Sequence, residues 1–105
     1  MLDRFRHTVL IVEEDQQLRK LICVILDNAG YRVLQARNSQ QAVRLVEGEM
    51  PVDLVVFGGP SRGGAALAER TLLLSPDPAD PPSGPVLKKP FKPAALVQAV
   101  RALID

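Results

Sequence analysis

Residues 9–22 constrain this chain more than any other stretch: Val-Leu-Ile-Val-Glu-Glu-Asp-Gln-Gln-Leu-Arg-Lys-Leu-Ile. An unbroken apolar run stops at three consecutive acids, Glu13, Glu14 and Asp15, and a helical period begins at once. A short strand that is β-branched and leucine-rich throughout is covered on both faces, as in a parallel sheet. Such a strand carries clustered carboxylates to the edge of the sheet where α/β domains build cation and phosphoryl sites. The plainer reading makes the acids a solvated helix start, where negative charge favours the positive end of the dipole.

The rest of the chain repeats this alternation. After Asp15, which suits an N-cap, Leu18, Leu21, Ile22, Ile25 and Leu26 recur at helical spacing, and Gly30 stands where a C′ glycine belongs. Residues 31–35 form a second strand. Ser39 caps a second helix with Ala42, Leu45 and Val46 inward, closed by Gly48. Residues 53–57 are a third apolar strand. Strand, helix, strand, helix, strand implies parallel pairing with right-handed crossovers.

Regularity drops after Phe57. The loop that starts at Gly58 and ends at Gly64 holds four glycines, and residues 65–70 allow only a short helix. A fourth strand fits residues 71–75. Pro76, Pro78, Pro81 and Pro82 make a regular helix between Pro76 and Gly84 untenable. Residues 85–88 fit a fifth, short strand. Pro93 then opens a last helix with Leu96, Ala99, Val100, Leu103 and Ile104 on its apolar stripe.

Length and composition set the outer limits. With 105 residues, the chain reads as one domain, 1–105, with a single core. A net charge of +1 offers no electrostatic case for nucleic acid or an anionic membrane. The lone Cys23 excludes an internal disulfide and fits a reducing, cytoplasmic setting. No apolar run nears the roughly 20 residues that span a bilayer. The polar start, Met1 to His7, is no signal peptide.

Taken in order, Val9-Leu-Ile-Val-Glu-Glu-Asp, Gly30-Tyr-Arg-Val, Asp53-Leu-Val-Val-Phe, Leu72-Leu-Leu-Ser and Leu87-Lys-Lys-Pro-Phe resemble the receiver domain of two-component response regulators. The resemblance runs from about Thr8 to Ile104 and is weakest between Gly58 and Gly84. It implies a doubly wound, flavodoxin-like α/β fold with a five-stranded parallel sheet in the order 2-1-3-4-5. The helix between strands three and four would be shortened, and the one between strands four and five missing or vestigial.

By that resemblance, a receiver takes a phosphoryl group from a histidine kinase onto an aspartate ending its third strand. An acid pair after the first strand holds Mg²⁺ there, and a hydroxyl and a lysine engage the phosphoryl oxygens. Glu13 and Glu14 match the acid pair, Ser75 the hydroxyl, Lys89 the lysine, and Pro90 the proline that follows it. The acceptor position falls on Gly58, which has nothing to phosphorylate. Asp53 opens the same strand, about 15 Å away at roughly 3.3 Å per residue, and is no substitute.

The resemblance therefore implies a pseudo-receiver, degenerate at its acceptor, with Lys89 paired to Glu14 or Glu13 where the aspartate used to be. It is no enzyme and binds no cofactor; residual Mg²⁺ at Glu13 and Glu14 is the weaker alternative. It acts through a protein partner such as a histidine kinase, a phosphotransfer protein or another signalling protein, and a homodimer is compatible with it. Cys23 and Val24 are read as apolar surface on the outer face of the first helix, suited to a partner helix. Two rivals stand beside this reading. One is a phosphorylatable regulator or hybrid-kinase receiver with an atypical acceptor, Glu14 or Ser75. The other is a small anion or nucleotide sensor using backbone amides and Arg62 of the glycine loop. A chain that starts at Met1 and stops after its last helix is expected to be either a stand-alone regulator, which Met1 mildly favours, or a receiver excised from the C-terminal end of a hybrid sensor kinase.

Overall fold

The computed structural model describes residues 7–48, 52–58, 71–74, 86–87 and 91–104. Five strands, β1 (Thr8–Val12), β2 (Arg32–Ala36), β3 (Leu54–Phe57), β4 (Thr71–Leu74) and β5 (Val86–Leu87), alternate with helices α1 (Gln16–Asn28), α2 (Ser39–Val46) and α3 (Pro93–Ile104). The strands form one sheet in the order β2-β1-β3-β4-β5, and every pairing is parallel.

The sheet separates two cores, because successive side chains on a strand point to opposite faces. Val9 and Ile11 of β1 and Leu54 and Val56 of β3 join Ile22 and Leu26 of α1 and Leu96 and Val100 of α3. The alternate residues, Leu10, Val12, Val55 and Phe57, pack with Ala36 and Ala42 on the α2 side. Burying an aliphatic side chain of this size stabilises the fold by about 1.5–3 kcal/mol. This explains why residues 9–12 of β1 and all of β3 are apolar in both registers, with Thr8 the one polar residue, at the start of β1.

Local chemistry sets the helix ends. Asp15 accepts hydrogen bonds from the amides of Gln17 (2.9 Å) and Leu18 (3.3 Å), capping α1 as its sequence suggests. At the other end Gly30 adopts φ 97°, a left-handed conformation that favours glycine. The Gly30 amide donates to Asp27 and that of Tyr31 to Leu26, which is the Schellman pattern. Tyr31 and Leu26, the pair that motif brings together, are both buried in the core.

Three expectations shift in the structure. The cap of α2 is Asn38, one residue before Ser39: its Oδ1 accepts from the Gln41 amide (2.9 Å) while Gln41 Oε1 accepts from the Arg37 amide (2.7 Å). These two bonds, a variant of the capping box in which the Gln41 side chain reaches the residue before the cap, outweigh the hydroxyl of Ser39. β2 begins one residue later than expected, because Tyr31 is used by the α1 terminus, and β3 likewise begins at Leu54 rather than Asp53. On α1, Cys23 is buried and Leu21 is 53% exposed, the reverse of their expected places. The shortened helix expected between β3 and β4, and the stretch between β4 and β5 where a helix was expected to be missing or vestigial, fall outside the described residues.

Candidate functional site

β1 and β3 end side by side, with Val12 paired to Phe57, and the Gly58 amide adds one more ladder bond to the Val12 carbonyl at 2.8 Å. On the other side of β1, the Glu13 amide donates to the Ala36 carbonyl at 3.0 Å. The Val12–Glu13 peptide unit is thus held by both neighbours at the point where the chain order of the sheet reverses, the place where open α/β sheets form their crevice. An open pocket of about 690 Å³ lies there, lined by Glu13, Glu14, Asp15, Arg37, Asn38 and Phe57 among others.

The three acids do different things. Glu14 is exposed, and Asp15 spends its carboxylate on the first turn of α1. Glu13 turns inward and is only 6% exposed. Its Oε2 accepts from the Asp15 amide at 3.1 Å, and its backbone carbonyl accepts from Arg19 Nη1 at 2.9 Å. The side chain lies directly over Gly58. A Cβ placed on Gly58 would sit 2.8 Å from Glu13 Cδ and 3.3 Å from Glu13 Cβ, with Oε1 closer still. The Glu13 carboxyl therefore fills the volume that a side chain at position 58 would need.

This arrangement is a poor fit to a magnesium site. A hard cation wants several carboxylate oxygens converging with room for water. Here one acid is packed over a backbone, one caps a helix and one points to solvent. Among the described residues no group of three or more His, Cys, Asp or Glu side chains could hold a metal ion.

Of the other residues singled out in the sequence, Ser75, Lys89 and Pro90 lie outside the described residues, as do the glycine loop beyond Gly58 and the stretch from Pro76 to Gly84. Asp53 lies at the opposite end of β3 from Gly58. There its Oδ2 accepts from the Thr8 amide (2.8 Å), its own amide donates to the Thr8 carbonyl (2.9 Å), and His7 Nδ1 stands 3.8 Å away. It fastens β3 to β1 and has no part in the pocket.

Cys23 is corrected as a surface residue: it is 8% exposed and packs in the α1–α3 core. Burial, more than the opposing pull of Arg19, lifts its thiol from the ordinary 9.0 to about 11, with Asp27 adding to the rise. Val24 is surface as expected, 57% exposed, and Leu21 takes the place given to Cys23 beside it. The residue that sequence reasoning missed is Glu13 as the occupant of the site. The available signal was a glycine aligned with a glutamate at the ends of two adjacent strands.

The fold so assembled is that of response-regulator receiver domains. It superposes on the receiver domain of the hybrid histidine kinase CckA with a TM-score of 0.72, at 20% identity, covering 93% of this chain and 99% of that one. For a response regulator receiver protein of Sinorhizobium medicae the TM-score is 0.76, at 19% identity over 93% and 94% of the two chains. For the chemotaxis protein CheY4 of Vibrio cholerae it is 0.77, at 18% identity over 92% and 98%. In sequence, the chain is 38% identical over 65 residues to the phosphate regulon transcriptional regulatory protein PhoB of Pseudomonas aeruginosa. That match spans 60% of this chain and 28% of the regulator's length. No family model matches the chain. No helix among the described residues is long and apolar enough to cross a membrane.

Proposed function

We propose that this chain is a phosphorylation-independent pseudo-receiver that acts by protein–protein interaction in two-component signal transduction. The observation that carries the reading is position 58. The end of β3, where a receiver would present its acceptor, bears a glycine, and the neighbouring carboxyl of Glu13 is packed against it. Glu13 is itself a poor acceptor, being buried and engaged with the Asp15 amide. Glu14 is exposed while the carboxylates that flank it are engaged elsewhere, Glu13 with the Asp15 amide and Asp15 with the first turn of α1. The acids therefore do not converge on the cation that neutralises a transferring phosphoryl group.

What remains to act through is surface. Leu21 and Val24 stand three residues apart on α1, so they project from one face and are both more than half exposed. Side chains of that size on a helix face suit docking against an apolar helix of a histidine kinase, a phosphotransfer protein or another cytoplasmic signalling protein. The protein carries out no chemistry of its own in this reading and needs no cofactor.

The test is incubation of the chain with a small acyl phosphate and excess Mg²⁺, followed by intact-mass measurement. The expected spectrum is that of the unmodified chain. A species heavier by one phosphoryl group would overturn the reading in favour of an atypical acceptor, to be located by fragmentation.

A further inference from the structure

A glycine is needed where the backbone is left-handed, where another backbone comes close, or where a side chain occupies the place of the missing Cβ. Gly58 falls in the third class. Gly30 is the described glycine with positive φ, so position 58 imposes no such demand. The three atoms nearest to a Cβ at 58 are all from the Glu13 side chain, its Oε1, Cδ and Cβ, and none is backbone outside that residue.

We propose that Glu13 is a resident occupant of the site: Gly58 is glycine because the Glu13 carboxyl holds the seat that a residue-58 side chain would take. The inference rests on the proposed function and deepens it, since it names what has replaced the acceptor. The acceptor position is then filled by a carboxylate that belongs to the neighbouring strand. The same carboxyl accepts from the Asp15 amide at the start of α1. One side chain therefore ties the end of β3 to the first turn of the helix that carries Leu21 and Val24. A side chain at position 58 must displace the flexible end of Glu13, and that displacement strains its hydrogen bond with the Asp15 amide.

A double-mutant cycle tests this by thermal unfolding of the full chain, comparing Gly58→Ala, Glu13→Ala and the pair. In the wild-type background Gly58→Ala is expected to lower Tm by several degrees. In the Glu13→Ala background it should leave Tm unchanged or raise it, because alanine then only restricts the unfolded chain. Glu13→Ser provides a second cleared background if Glu13→Ala does not fold, with the same expectation. Glu13→Gln, which keeps the volume, should retain the loss. An equal loss with and without the Glu13 side chain overturns the inference. The two ideas fail separately: phosphoryl uptake by the wild-type chain sinks the proposed function and leaves the coupling in place, whereas additivity in the cycle sinks the occupant and leaves the proposed function standing.

Discussion

Cys23 illustrates what burial does to one side chain. Its thiol lies in the α1–α3 core and its pKa is raised to about 11. The thiolate is the reactive form, so a rise of two units lowers its population near pH 8 roughly a hundredfold. Iodoacetamide should therefore label the native chain at pH 8 far more slowly than the urea-unfolded chain, and equal rates would show that Cys23 is on the surface. The linkage has a definite sign. The folded-state pKa lies above the unfolded one, so the contribution of this thiol to stability is complete below about pH 9 and is lost as pH rises toward 11. At this scale the sequence was only partly legible. Asp15 and Gly30 announce their roles because capping and left-handed turns depend on near neighbours. Glu13 over Gly58 does not, because it joins residues 45 positions apart.

The two flanks of α1 show where element-scale reasoning stops. Leu21 and Cys23 lie on opposite sides of the stripe formed by Leu18, Ile22, Ile25 and Leu26, with Leu21 somewhat nearer to it at about 100° per residue. Periodicity slightly favours the Leu21 flank, and the packing of α1 on the sheet and α3 overrides it in favour of Cys23. Substitution reads out that choice directly. Leu21→Glu and Val24→Glu should each change stability by no more than about 0.5 kcal/mol in urea unfolding, as exposed sites do. Cys23→Glu, which buries a carboxylate without a partner, should cost about 3 kcal/mol or more or prevent folding. A large loss from Leu21→Glu would mean that this face is covered within the fold and is no docking surface. The existence of α1 and α3 was plain from the sequence, since an amphipathic stripe of more than three turns has few other solutions. The boundary of α2 was not: Ser39 and Asn38 are both good caps, and the bonds that separate them, Asn38 to the Gln41 amide and Gln41 to the Arg37 amide, are a spacing signal easily passed over.

Across the whole molecule, the alternation of apolar strands and amphipathic helices made the layered α/β architecture legible before any coordinate. Residues 9–12 of β1 and the whole of β3 are apolar in both registers because each strand faces a core on either side of the sheet. The order of elements could also place Glu13, Glu14 and Gly58 at one edge. It could not say how the three acids divide their work, because that depends on which carboxyl turns inward by a few ångströms. That division sets the response of the molecule to divalent cation. A site with a Kd of about 1 mM would stabilise the fold by about 1.4 kcal/mol at 10 mM Mg²⁺, a rise in Tm of several degrees for a domain of this size. With Glu13 packed on Gly58, Asp15 capping α1 and Glu14 turned to solvent, the expected shift at 10 mM MgCl₂ is within a degree of that in a matched-ionic-strength control with NaCl. A magnesium-specific rise of several degrees would mean that Glu13 leaves its seat to join Glu14 around the ion. The Glu13→Gln variant then decides the matter, since it abolishes such a rise if the carboxylate is a ligand and leaves it intact if the cation binds elsewhere.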